Sequence, residues 1–188
     1  MASKRQQAAL GLFSVTLLWG GTFVWMKQAL NSLDGELTQY TTAGVVGVIV
    51  CSRFLIALIA LLPFSREARR ALLSKDDWEG GLILGGLMLA GFVLQMIGIE
   101  SVSPSVSAFL TSLYVVFTAI LSVNISDRKP TRTMVLGVGL ATFGAGFIDG
   151  PPHIVWGLGE LLTVVCAFFC ALHIIYTDKI TKQLNPIA

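Results

Sequence analysis

Six long apolar segments dominate the 188-residue sequence and limit what it can fold into. A helix needs about 20 mostly apolar residues to cross the hydrocarbon core of a bilayer. The segments lack the apolar–polar alternation that is typical of the strands of a membrane barrel. The sequence therefore predicts an all-α integral membrane protein with six transmembrane helices. The predicted spans are Ala8–Leu30, Gln39–Leu62, Trp78–Ile99, Pro104–Ile125, Thr133–Ile148 and Trp156–Thr177.

The composition excludes the common soluble classes. Only 13% of the residues are charged and the mean hydropathy is +0.76, whereas soluble domains carry about 25% charged residues. Thirteen Lys and Arg against eleven Asp and Glu give no basic excess for a phosphate backbone, so no nucleic-acid partner is expected. Three cysteines are too few for a disulfide scaffold. The lipid bilayer is the expected surrounding.

The distribution of cations predicts the orientation. Lys and Arg are enriched on the cytoplasmic side of membrane proteins. Eleven of the thirteen fall before the first span, in the second and fourth loops and in the tail, which places both termini in the cytoplasm. The eleven are Lys4, Arg5, Arg66, Arg69, Arg70, Lys75, Arg128, Lys129, Arg132, Lys179 and Lys182.

Polar side chains follow a helical period along the fourth span. Their spacing of i, i+4, i+7, i+11 and i+15 places them on one narrow face. This face either forms the wall of a cavity for a polar solute or packs closely against another helix with its hydroxyls bonded to its own backbone. The five residues are Ser107, Thr111, Tyr114, Thr118 and Ser122.

The first and third spans hold further candidates. Trp19, Thr22 and Trp25 lie beside adjacent glycines, a pattern that fits either a solute-facing surface or plain packing, and Trp25 alternatively anchors the helix at the interface. Gln95, within the third span, has an amide to satisfy in the membrane and is a candidate ligand for a solute. The Gly81–Gly85 spacing predicts close approach of another helix, and Gly137, Ala141 and Ala145 predict the same for the fifth span.

Arg53 lies within the second span. A charge in hydrocarbon requires a partner, a route to the interface or a role. We favour an interpretation in which its side chain snorkels or bonds to backbone carbonyls, and the alternative is contact with a substrate anion or a gate.

The sixth span carries one polar-tolerant face, which we interpret as packing. A soft-metal site is the weaker alternative, because one helix offers only three ligands. Glu160 is either an interfacial residue or a proton-coupling group. The face consists of Thr163, Cys166, Cys170, His173 and Thr177.

Motifs for catalysis are missing from the sequence, which contains no P-loop, no G-x-S-x-G, no H-E-x-x-H and no C-x-x-C. We therefore expect a protein that is not an enzyme and that has no cofactor, no catalytic residues and no metal site.

Several stretches in order resemble the EamA-like transporters of the drug/metabolite transporter superfamily. They are Leu17–Phe23 with Lys27, Arg53–Ala57, Ala108–Phe117, Asp127–Thr131 and Gly137–Gly146. The resemblance implies a fold of two five-helix repeats, of which the second is inverted because five is odd. Residues 1–150 are then the first repeat, and residues 151–188 begin the second with one helix and a cytoplasmic tail.

The resemblance also implies a function. It points to a multi-pass transporter of the cell inner (plasma) membrane, most simply an exporter, that moves small metabolites, amino acids or drugs by alternating access. The expected partner is a small-molecule solute. The candidate cavity-lining residues are Trp19, Thr22, Trp25, Gln95, Thr111, Tyr114 and Thr118.

Other functions remain open from the sequence. The chain is alternatively a truncated fragment that transports nothing, or a membrane scaffold or assembly subunit that binds partners through its small-residue faces. A homodimer or a separate C-terminal half would supply the missing helices. We expect that the chain alone does not transport as a monomer, because inverted-repeat carriers hold the solute between two halves.

The orientation is tested with reporter fusions. Fusions after Ser103 and Pro152 should report the exterior, and fusions after Ser74, Lys129 and Lys182 the interior, because the cation-rich loops stay in the cytoplasm. An exterior signal at Lys129 would contradict the topology.

Overall fold

The computed structural model describes residues 4–32, 42–125, 131–145, 147 and 157–184. All regular secondary structure in these ranges is helical, which confirms the predicted all-α membrane class. The helices are α1 (Lys4–Ser32), α2 (Thr42–Phe64), α3 (Arg66–Ala71), α4 (Lys75–Ser101), α5 (Pro104–Ser112), α6 (Tyr114–Ile125), α7 (Arg132–Ala145) and α8 (Leu158–Ile180).

Five segments of the described chain are long and apolar enough to cross a membrane. They are Ala9–Ser32, Gly44–Phe64, Lys75–Ser101, Pro104–Ser122 and Leu158–Ile180, and they match five of the six predicted spans. The remaining one, Thr133–Ile148, coincides with the 14-residue helix α7. This helix is about 21 Å long against a core of about 30 Å. Because Ile148 lies outside the described residues, the count of six spans stays a prediction.

The fourth predicted span is one apolar segment of membrane-crossing length that is interrupted at a single residue, between α5 and α6. The chain turns at Leu113, whose N–H donates to the Leu110 carbonyl three residues back (3.2 Å), and α6 then starts at Tyr114. The predicted polar face survives this break. Ser107 and Thr111 are buried and Tyr114, Thr118 and Ser122 are half-buried, whereas neighbours such as Ser112 and Val115 are exposed.

The second loop folds into the short helix α3. Ser65 caps it by accepting a hydrogen bond from the Ala68 N–H (3.1 Å), and Ser74 caps α4 in the same way through Asp77 (3.3 Å). The Arg69 guanidinium donates to the carbonyls of Leu62 and Pro63 at 2.6 and 3.0 Å. These contacts satisfy carbonyls that α2 leaves open at its C-terminal end.

Helix α4 is central to the described bundle and packs against α1, α2, α5 and α8. Where α4 meets α1 and α2, the three helices form an apolar cluster. Its buried members are Met26, Leu30, Val46, Val50, Met96 and Ile99. Lys27 of α1 reaches the end of α4, where its ammonium donates to the carbonyls of Ile99 (2.7 Å) and Glu100. A cation at a helix C-terminus is favourable, and this one holds the C-terminal ends of α1 and α4 at the same level.

Glycines on one face of α4 allow the antiparallel helix α8 to approach closely. Gly80 faces Ile180 and Leu184, Gly91 faces Cys170, and a Cβ at Gly98 would lie 2.7 Å from Thr163 Oγ1 and 2.8 Å from the Gly159 carbonyl oxygen. Spacings of 11 and 18 residues keep the three glycines on one side of the helix. Gly81 and Gly85 do not make the predicted close approach within the described residues, because both are exposed and no atom of another described helix lies within 4 Å of their Cβ positions.

Alanine substitutions at two glycines of α4 should differ in their effect on the free energy of unfolding. Gly98→Ala should lower the free energy of unfolding by about 1–3 kcal/mol, because its methyl group collides with the backbone of α8. Gly81→Ala should be neutral or stabilising by up to about 1 kcal/mol, because alanine is the better helix former and its methyl group meets open space. Unfolding in mixed micelles followed by tryptophan fluorescence measures both. Equal effects of the two substitutions would contradict the α4–α8 contact.

Candidate functional site

A buried polar pair joins α4 to α5. The Gln95 side-chain amide donates to Thr111 Oγ1 at 3.0 Å, and the Thr111 hydroxyl donates to the Ser107 carbonyl at 2.8 Å. Gln95 is only 5% exposed. The pair satisfies the amide inside an apolar bundle and fixes the rotamer of Thr111, whose other side faces a cavity.

This cavity, which we call the hydroxyl cavity, has a volume of about 410 Å³. Small-molecule sites in proteins have volumes of about 300–1,000 Å³. Three of the predicted residues, Trp19, Thr111 and Tyr114, come together here from α1, α5 and α6. The full lining is Trp19, Met88, Thr111, Tyr114, Cys170, His173, Ile174 and Thr177.

Only some polar groups of the hydroxyl cavity remain for a solute. Thr111 and Thr177 both donate their hydroxyl protons to backbone carbonyls of their own helices, Thr177 to His173 at 2.7 Å. Tyr114, His173 and the Trp19 indole have no hydrogen-bond partner among the described residues. The cavity therefore offers three donor groups on an otherwise apolar wall, an arrangement that can orient a small polar solute.

A second cavity contains two more predicted residues. Thr22 and Trp25 line a space of about 370 Å³ between α1, α2 and α4, which we call the arginine cavity because Arg53 also lines it. The Trp25 ring lies over Gly21, whose Cβ position is 3.5 Å from the ring. The full lining is Thr22, Trp25, Met26, Ala29, Ile49, Val50, Arg53, Phe54, Phe92 and Met96.

The remaining predicted residues lie outside both linings. Gln95 supports the hydroxyl cavity through Thr111 and does not face it. Thr118 carries a buried hydroxyl oxygen that has no hydrogen-bond partner among the described residues, and Ser107 does too. The predicted set is therefore divided between two cavities, one supporting residue and one packed residue.

In the part of the chain that the structure describes, Arg53 does not make the bond to backbone carbonyls that was one part of our interpretation from sequence, and its snorkelling stays a prediction. Within the described residues its guanidinium makes no hydrogen bond to a backbone carbonyl, and it lies over the Phe92 ring with Cζ 4.8 Å from the centroid. Phe54 packs edge-on against the same ring, with centroids 5.6 Å apart. A cation–π contact contributes about 0.5–2 kcal/mol, whereas insertion of an arginine at the centre of a membrane helix costs about 3 kcal/mol.

Sequence reasoning missed the contribution of α8 to the hydroxyl cavity. The face of α8 that we interpreted as packing lines the cavity with Cys170, His173 and Thr177. The helical period of its polar residues could have indicated a cavity wall. Part of that face does pack, since Thr163 and Cys166 are buried against α4. The Cys166 and Cys170 sulfurs are 3.9 Å apart, but no three His, Cys, Asp or Glu side chains gather within the described ranges, so the soft-metal alternative lacks a third ligand.

Glu160 has a local structural contact. Its carboxylate accepts a hydrogen bond from the Gly157 N–H at 2.9 Å and so caps the start of α8. An acidic side chain in the first turn is also favourable with the helix dipole. This contact gives Glu160 a local structural role at the start of α8.

Comparison with known proteins identifies the family. Residues 6–148 match the EamA-like transporter family. The chain belongs to this family. It is also 30% identical over 183 residues to an uncharacterized transporter of Archaeoglobus fulgidus, a match that covers 97% of this chain and 53% of the relative. The chain thus spans about half the length of this relative.

No solved structure matches the chain. The EamA-like family assignment and the long apolar helices together establish a multi-pass membrane protein of a transporter family. The lipid bilayer is accordingly the surrounding that the apolar helices and the family imply.

The Gln95–Thr111 bond is tested with a double-mutant cycle. Gln95→Leu and Thr111→Val should couple by about 0.6–1.7 kcal/mol in unfolding free energy, because each removes one end of a buried hydrogen bond. Ser112→Ala is the matched control, since the Ser112 hydroxyl donates to Phe109 on the exposed side of the same helix. A coupling of Gln95→Leu to Thr111→Val no larger than its coupling to Ser112→Ala would contradict the pairing.

Proposed function

We propose that this EamA-like protein takes part in the movement of small solutes across the cell inner membrane, and that the hydroxyl cavity is where the solute binds. The observation that carries the proposal is the convergence of α1, α5, α6 and α8 on one cavity that holds Trp19, Thr111 and Tyr114. Small metabolites, amino acids and drugs are the proposed solutes, and export is the proposed direction.

The chemistry of the cavity supports a solute that is part polar and part apolar. Tyr114 and His173 supply polar groups without partners among the described residues, and Met88, Ile174 and the Trp19 ring supply apolar surface. A site of this kind binds a solute through apolar contact area and orients the solute through a few hydrogen bonds. The fixed Thr111 adds an acceptor whose position does not depend on the solute.

We further propose alternating access between two halves, with residues 1–150 as one half and both termini in the cytoplasm. In inverted-repeat carriers the solute site lies near the bilayer midplane between the repeats. The placement of α8 supports this arrangement, because α8 runs antiparallel to α4 and contributes Cys170, His173 and Thr177 to the cavity wall. The second half is proposed to be an inverted repeat; a second copy of this chain in the same orientation would bury its exposed faces more readily than it would replace that repeat.

A scaffold function is the second candidate, and the exposed face of α7 favours it. Val135, Leu136, Leu140 and Phe143 are all more than half exposed, and in the described chain only α6 packs appreciably against this helix. An apolar face of this kind contacts either lipid or a partner helix. The two candidate functions differ in whether water and solute reach the hydroxyl cavity.

Cysteine labelling tests the proposed site. In a background with Cys51, Cys166 and Cys170 replaced by alanine, Tyr114→Cys should react about tenfold faster than Val115→Cys with a water-soluble thiol reagent. The reason is that Tyr114 lines the cavity whereas Val115 is on the exposed apolar surface, where a charged reagent does not enter hydrocarbon. A mixture of the protein amino acids without cysteine, whose thiol would consume the reagent, should slow the labelling of Tyr114→Cys only.

Two results would contradict the proposal. Equal labelling of the two cysteines would show that water does not enter the cavity preferentially. Fast labelling of Tyr114→Cys that neither the amino-acid mixture nor a panel of cationic drugs slows would show a hydrated space without a solute site, and would favour the scaffold.

A further inference from the structure

Arg53 is too deep in the membrane for its charge to reach water along its own helix. It lies eleven residues from each end of α2, which is about 16 Å at the helical rise. An extended arginine side chain does not cover that distance. The charge therefore needs an interaction at its own depth.

Neither α2 nor the helices that pack near Arg53 supply a carboxylate there. Helices α1 and α2 contain no Asp or Glu, and the acidic residues of α4 lie at its two ends. Phe92, which the guanidinium contacts, is eight residues or about 12 Å from Glu100, and Glu79 is further away. Within the described residues, the Phe92 ring is the one charge-compensating contact that Arg53 makes.

The arginine cavity combines this unpaired cation with apolar walls. Of the other polar groups in its lining, the Thr22 hydroxyl donates to the Trp19 carbonyl at 2.6 Å, and Trp25 carries an indole N–H. The donors available to a ligand are therefore the Arg53 guanidinium and the Trp25 indole. Phe54, Phe92 and Met96 form an apolar surface around them.

We propose that the arginine cavity binds an organic anion, with its oxyanion on Arg53 and an apolar body against Phe54, Phe92 and Trp25. A guanidinium forms paired hydrogen bonds with a carboxylate or phosphate, and in a site away from water such charge-assisted bonds are strong. The ring of Phe92 contacts the guanidinium, with Cζ 4.8 Å from its centroid, and accepts no hydrogen bond in the plane of the guanidinium, so the Arg53 N–H groups stay available to the anion. The volume of about 370 Å³ accommodates a small aromatic acid.

The claim that the transported solute is an organic anion rests on the proposed function. The claim that an organic anion binds in the arginine cavity does not. The arginine cavity and the hydroxyl cavity have no lining residue in common. An equilibrium binding measurement therefore tests the anion site separately, whether or not Tyr114→Cys is labelled and protected.

The experiment compares 3-phenylpropionate with its neutral amide on the full 188-residue chain in phosphatidylcholine nanodiscs, by calorimetry. The acid should bind about tenfold more tightly than the amide, since only the acid forms charge-assisted bonds. Arg53→Gln should reduce this ratio to about one. Arg53→Lys, which keeps the charge but loses the planar fork, should retain part of the preference. Arg66→Gln, which removes a charge from the exposed helix α3, should leave the ratio unchanged.

An affinity ratio of acid to amide near one in the unchanged protein would overturn the proposal. An affinity ratio that stays near ten in Arg53→Gln would overturn it too. Because the first comparison uses the unchanged chain, it holds even if a variant fails to fold. Repeating the titration with phosphatidylglycerol in the nanodisc identifies the source of the anion. If the lipid displaces the acid, the anion site binds a lipid phosphate. If binding of the acid is unaltered, the anion site binds a water-soluble acid.

Discussion

The contact between α4 and α8 is the interaction on which the rest of the described structure depends. Inside a bilayer, apolar side chains gain nothing by leaving lipid for protein, so helices associate through close packing and a few hydrogen bonds. Gly98 and Gly159 allow the two backbones to approach until a methyl group no longer fits between them. This contact sets the depth at which α8 lies, and with it the positions of His173 and Thr177 beside Thr111.

Helix α4 also separates the two cavities. Met88 faces the hydroxyl cavity, whereas Phe92 and Met96 face the arginine cavity, and Gln95 bonds to α5 between them. One cavity offers hydroxyl and imidazole groups, and the other offers a cation and aromatic rings. Helix α4 thus presents chemically distinct surfaces to the cavities on its two sides.

The sequence predicted the features that arise from local composition and period. Five of the predicted spans are apolar helices of membrane-crossing length, since hydrophobic length alone decides whether a segment can cross. The inward face of Ser107, Thr111 and Tyr114 also follows from its period, because residues at this helical spacing share one side of the helix whichever neighbour that side meets. The resemblance carried by the stretches around Trp19, Arg53 and Tyr114 agrees with the EamA-like family match over residues 6–148.

What the sequence could not determine is which residues of different helices meet. Spacing marked Gly81 and Gly85, whereas the rotation of α4 against α8 places Gly80, Gly91 and Gly98 at the contact. In the same way, Arg53 had several local partners available to it, and tertiary packing placed the Phe92 ring against its guanidinium. Helix formation in a membrane is decided within each segment, because every backbone group bonds inside its own helix. The meeting of side chains depends on how those helices rotate and cross, and that is a property of the packed bundle alone.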